Sequence, residues 1–273
     1  MIRGVSVVAG GWWLIWSLSL APGCGGDPTP VQGSIPEVLS GSRIVAPAEL
    51  QGVKARAPDT DLRLLFILDR SQSMAVSDPV EQGRCAVVSA VEEAVNSHLA
   101  DARIQFGILR FGSEAACLTE VDGCFTRWVQ LLRTALAELF QVGGTTNTQE
   151  ALELAAQVVE DDMRVQASAG LHFTRYILVF LTDGMPFPQE PDVEWNTPEA
   201  VVGAVEAIVA LQQAYPKTEV RLHTTFLAAA GLPPDGAAEV EALLQEMAAA
   251  GHGTYQRFNS GAEIDFSGQD VLP

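Results

Sequence analysis

The chain has 273 residues, 48 % of them apolar and 18 % charged, enough to bury one substantial core. Its formal charge of −18 repels phosphate backbones and anionic membrane surfaces, which argues against a nucleic-acid binder, and it attracts cations.

Residues 1–23 carry Arg3 as their only charged side chain, followed by an apolar stretch from Val5 to Ala21 that holds three of the five tryptophans. This pattern predicts an export signal. Leu20-Ala21-Pro22-Gly23-Cys24-Gly25-Gly26 follows and looks like the lipobox of bacterial lipoproteins, in which Cys24 becomes the lipidated first residue; Ala21 stands where a leucine is usual. Two alternatives stay open: a retained anchor over Val5–Leu20, near the lower length limit for a span, or ordinary cleavage. All three carry the protein out of the cytosol, and lipidation places it at the bacterial cell envelope, tethered to the outer membrane or the cell surface. Residues 24–60 contain Pro28, Pro30, Pro36, Pro47 and Pro58 without a sustained apolar period and read as a tether.

One domain is expected over 61–266, followed by a tail at 267–273. Leu64–Leu68 is an unbroken apolar run that suits a parallel strand buried on both faces. Ser77-Asp78-Pro79 reads as a helix start, and Val87, Val91, Val95 and Leu99 form one stripe of a helix over 81–102. A strand is expected at Ile104–Leu109, an edge strand at Trp128–Leu132, and a short helix at Thr134–Phe140. After Gly143-Gly144 come a helix over Gln149–Met163 and a second buried strand, Tyr176–Leu181. The remaining expectations are a helix at Pro198–Tyr215, a strand at Glu219–Leu227, a helix at Asp235–Ala250 and a short strand at Thr254–Phe258. Alternating strands and helices over about 200 residues imply an α/β fold of three layers: a Rossmann-like, doubly wound, mostly parallel sheet with helices on both faces.

Both apolar strands end on an aspartate, Asp69 and Asp183, and in such sheets ligands bind outside the carboxyl ends of the strands. Asp69-Arg70-Ser71-Gln72-Ser73 gathers hard oxygen donors within five residues, and Gly143-Gly144-Thr145-Thr146 adds hydroxyls on a loop. One such motif alone is more often a helix entry or a turn; three in this order carry a resemblance. D-x-S-x-S, G-G-T and L-T-D-G, in that order, resemble the von Willebrand factor A (VWA) domain and its metal-ion-dependent adhesion site, over about Asp61–Phe266. The resemblance implies Ser71, Ser73 and one loop threonine as hydroxyl ligands, with Asp69 and Asp183 acting largely through bound water. Read as G-x-T-x-T the loop selects Thr146; read as G-G-T it selects Thr145. An oxygen-only set suits Mg2+, and Mn2+ also fits. In the family the open coordination position takes an acidic residue of a partner protein, so the implied partner offers a Glu or Asp and no small-molecule substrate is expected. Arg70 departs from the small or apolar residue expected beside the ligands.

The loop after Asp183 carries Phe187 and Trp195, which are candidate partner contacts. Cys117 and Cys124 bracket a six-residue loop that their pairing would staple, and Cys85 reads as a buried thiol in a helix. His98, His172, His223 and His252 lie at unrelated spacings and read as structural. These features describe a cation-dependent adhesion or scaffolding module and not an enzyme. A purely structural or degenerate metal site is the first alternative. A Mg2+-dependent phosphohydrolase is the second, and it lacks the expected second acid, since Ser71 stands in its place, and a suitably placed lysine, since Lys54 and Lys217 are the only two.

Overall fold

The computed structural model describes residues 60–77, 84–121, 123–139, 142–170, 172–186, 195–228, 234–259 and 264. The export signal, Cys24, nearly all of the tether, the side chain of Cys85, Phe187 and the tail at 267–273 lie outside the described residues.

Strand β1 (Thr60–Asp69) is buried along nearly its whole length. It pairs in parallel with β2 (Ile104–Phe111) on one side and with β4 (Phe173–Thr182) on the other. Beyond β4 lie β5 (Thr218–Ala228) and β6 (His252–Asn259), also parallel; β3 (Ala115–Cys117) closes the opposite edge antiparallel to β2. The order β3-β2-β1-β4-β5-β6 therefore puts β1 and β4, the two aspartate-bearing strands, side by side in the middle of the sheet.

Side chains alternate across a strand, so β1 and β4 feed two cores at once. Leu65, Ile67, Tyr176, Leu178 and Phe180 pack under helices α4 (Thr148–Ala169), α5 (Pro198–Ala214) and α6 (Pro234–Ala250). Leu64, Phe66, Leu68, Ile177 and Val179 pack on the other face with α2 (Arg84–His98) and α3 (Val129–Glu138). Helix starts are set locally: Asn147 caps α4 by accepting from Glu150 N at 3.3 Å, and Thr197 caps α5 by accepting from Ala200 N at 3.2 Å. Gly170 ends α4 with φ 66°, a left-handed cap that costs glycine little.

Two sequence expectations fail. Trp128–Leu132 is not an edge strand: Trp128 is the N-cap of α3, whose Leu132, Ala135 and Leu136 are buried at helical spacing. Over five residues, Val129, Leu131 and Leu132 fit both periods, and the buried positions further on decide for the helix. The expected helix at 134–140 is the later part of α3. The edge strand is β3, which ends on Cys117, where the disulfide to Cys124 closes the next loop with Cα atoms 6.1 Å apart. Ser77 is the last residue of a one-turn helix α1 (Met74–Ser77), while Asp78 and Pro79 of the expected helix start lie outside the described residues; α2 ends at His98 instead of running to 102.

Candidate metal centre

Asp69 is the last residue of β1, and the chain turns immediately after it. Ser71 N donates to Asp69 Oδ1 at 2.7 Å, and Met74 N donates to Ser71 O at 3.1 Å, which opens α1. Met74 is buried in the core and anchors the turn from below. The backbone of Arg70 is held at both ends: its N–H donates to Phe111 O at the end of β2 at 2.7 Å, and its carbonyl accepts from Gly143 N at 2.8 Å. Gly143 belongs to the threonine loop, so the first and second motifs meet through main chain alone.

Glycine is required at that meeting. Gly144 has φ 80°, and a Cβ there would lie 2.4 Å from Ser113 Oγ. Its carbonyl accepts from Gln72 N at 3.0 Å, while Asn147 N donates to Gly112 O at 2.9 Å. The two threonines then part. Thr145 is exposed, with its hydroxyl 3.2 Å from Ser113 Oγ. Thr146 is buried, 6 % exposed, and its hydroxyl has no hydrogen-bond partner among the described residues.

The third motif enters from β4. Asp183 follows directly on Thr182, and Ser73 Oγ donates to Asp183 Oδ1 at 2.8 Å. Ser73 Oγ also lies 2.8 Å from Ser71 Oγ, so Asp69, Ser71, Ser73 and Asp183 form one continuous polar chain between the ends of two neighbouring strands. Two hydroxyls that sequence reasoning missed complete it: Thr182 Oγ1 donates to Asp69 Oδ2 at 2.5 Å, and Ser77 Oγ donates to Asp183 Oδ2. Thr182 stood inside the L-T-D-G motif without an assigned role, and Ser77 had been read as the start of the next helix.

The electrostatics are those of two like charges taken out of water. Asp69 is 4 % exposed and Asp183 2 %. No cationic side chain among the described residues pairs with either. Burial, then the Asp183 charge, push Asp69 up from 3.8 to about 7; burial raises Asp183 as well, against the Ser77 and Ser73 hydrogen bonds. Because the two carboxylates interact, these shifts belong to the pair. Hydroxyl and amide dipoles reach both carboxylates yet leave the net charge uncompensated, and the donor set is all hard oxygen. Such a set fits Mg2+ or Mn2+, which take carboxylate and hydroxyl oxygens and keep waters. Among the described residues no three His, Cys, Asp or Glu side chains gather as a metal group, so a cation here depends on the hydroxyls as well.

Residues 64–185 match the family model of the von Willebrand factor type A domain. The matched stretch runs from β1 to just past β4 and contains Asp69, Ser71, Ser73, Thr146 and Asp183 together. No curated protein matches the chain. Among solved structures, the pilus adhesin SpaC from Lactobacillus rhamnosus GG in its open conformation is 13 % identical, with TM-score 0.52, covering 75 % of this chain and 28 % of that one. The von Willebrand factor type A structure from Catenulispora acidiphila is 16 % identical, TM-score 0.49, covering 73 % and 39 %. The PilB minor pilin from Streptococcus sanguinis is 11 % identical, TM-score 0.47, covering 75 % and 58 %. The chain thus spans less than two thirds of each of these proteins, and the likeness to the adhesin is one of fold.

Trp195, the described member of the expected partner-contact pair, is 45 % exposed and lies two residues before Thr197, the N-cap of α5. His223 is buried; its Nδ1 lies 2.9 Å from Thr254 Oγ1 and accepts from Thr254 N at 3.1 Å, bridging β5 and β6.

Proposed function

We propose that this VWA domain is a divalent-cation-dependent protein-binding module of the bacterial cell envelope. Asp69, Ser71, Ser73, Thr146 and Asp183 hold Mg2+, with Mn2+ as a substitute, and the open coordination position takes a Glu or Asp of a partner protein. The observation that carries this reading is the buried pair of carboxylates at the ends of β1 and β4, joined through Ser71 and Ser73 and ion-paired with no cationic side chain among the described residues. A bound dication removes the repulsion that raises the pair's affinity for protons, and its open coordination position then accepts a partner carboxylate. Between the two loop threonines, the buried Thr146, whose hydroxyl has no hydrogen-bond partner among the described residues, suits a ligand better than the exposed Thr145 engaged by Ser113.

The module acts by adhesion or scaffolding and performs no catalysis. Exported by residues 1–23 and lipidated at Cys24, it is held off the membrane by the Pro-rich stretch to residue 60. The surface role of the pilus adhesin that shares its fold agrees with that placement. Among the described residues no helix is long and apolar enough to cross a membrane; the alternative anchor at 5–20 lies outside them.

A second reading has its own observation. Thr182 and Ser77 already donate to both carboxylates, an arrangement that also suits a degenerate site closed without an ion. Thermal unfolding in chelator and in millimolar Mg2+ separates the two readings. Saturation to about 100 times Kd adds about 2.7 kcal/mol to the parent and nothing to Asp69→Ala; a parent without a Mg2+ response sinks the first reading.

A further inference from the structure

Asn196 stands out in the backbone: it has φ 61° and is 1 % exposed. Asn is among the few residues that tolerate this region, and a buried outlier of this kind has to be held by its surroundings. It is held at three points across a long sequence separation. Its Nδ2 donates to Thr146 O at 3.0 Å, its Oδ1 accepts from Gln149 N at 2.9 Å, and its own N–H donates to Gln149 Oε1 at 2.6 Å.

The centre's members differ in what fixes them. Ser71, Ser73, Ser77, Thr182 and the two aspartates hold one another through side chains. Thr146 comes from a separate loop, and its hydroxyl has no hydrogen-bond partner among the described residues, so its place depends on its backbone. That backbone is tied to the first motif by Gln72 N to Gly144 O and to β2 by Asn147 N to Gly112 O; on its remaining side the tie is Asn196.

We propose that Asn196 is a positioning residue for the metal centre. By gripping the Thr146 carbonyl and the first turn of α4 together, it holds the Thr146 hydroxyl at the height the ion requires, without touching the ion. The same grip fixes the neighbouring exposed Trp195 relative to the centre, so that side chain and the threonine offered to the metal move as one piece. The inference rests on the metal-binding reading above.

The test uses the full protein with two variants. Asn196→Gly keeps the left-handed backbone and removes the side-chain bonds; Gln149→Met removes the acceptor for Asn196 N–H and loosens the grip from the other side. Mg2+ affinity is measured by calorimetric titration, and amide exchange at Gln149 is measured in the metal-free protein. Both variants are expected to keep the parent's thermal midpoint in chelator to within a few degrees, while Asn196→Gly loses at least about tenfold in Mg2+ affinity, the scale of a second-layer partner, and exchanges faster at Gln149. Gln149→Met shows a smaller loss in the same direction, which stands as evidence if Asn196→Gly fails to fold. Parent-like Mg2+ affinity in a folded Asn196→Gly overturns the role. A parent that binds no Mg2+ overturns the metal reading and this role with it, a result separable from the last because Gln149 exchange still reports the grip itself.

Discussion

The two carboxylates make a sharp prediction about pH in the absence of metal. Asp69 rises from 3.8 to about 7 on folding, because it is buried and faces Asp183. Between those values the folded protein holds a proton that the unfolded chain has lost, so metal-free stability falls as pH rises through that window and levels off above about 7. The rise from 3.8 to about 7 corresponds to about 4 kcal/mol over the whole window. Asp69→Asn removes the charge and keeps one oxygen to accept from Ser71 N, while its Nδ2 takes the Oδ2 position and donates to a turned Thr182 hydroxyl. Urea unfolding in chelator at about pH 5 and about pH 8 is the assay. The parent loses about 2–3 kcal/mol between the two, the rest of the loss lying below pH 5; Asp69→Asn loses little and is the more stable protein at the higher pH. In saturating Mg2+ the order reverses, since the ion needs the ionised pair. Parent stability that holds or climbs with pH in chelator would falsify the like-charge account.

Other consequences follow from the same geometry. Ser71→Ala and Ser73→Ala each lower Mg2+ affinity by about tenfold or more, measured by titration, while each lost hydrogen bond costs about 1 kcal/mol of metal-free stability. Gly144→Ala drives a Cβ toward Ser113 and forces a strained φ; it shifts the threonine loop, and a loss of Mg2+ response larger than the loss of thermal midpoint is the expected signature. Leu132→Ala, on the buried face of α3, costs about 2–5 kcal/mol in urea unfolding, whereas Trp128→Ser at the exposed cap stays within about 0.5 kcal/mol; equal costs would contradict the helical assignment. Replacing Cys117 and Cys124 by serine removes about 2 kcal/mol, the scale for a short closed loop.

The central strands were legible because burial on both faces leaves an unbroken apolar run, and a run ending in aspartate marks the edge of the sheet where ligands sit. That reading placed Asp69 and Asp183 on separate strands; the structure adds that the strands are neighbours, which only the strand order supplies. The stretch 128–132 was misread because five residues are too few to separate a period of 2 from one of 3.6. Thr182 and Ser77 were invisible as donors, since a hydroxyl's partner depends on which turn crosses over it. The Asn196–Gln149 contact joins residues 47 apart and has no local pattern at all.

The most direct test of the account is calorimetric titration of chelated protein with Mg2+, beside Asp183→Ala. One site filling in the parent, competed by Mn2+ and absent from Asp183→Ala, is the expected result. Heat that is equal in parent and variant, or absent from both, contradicts a cation centre built on these two strand ends.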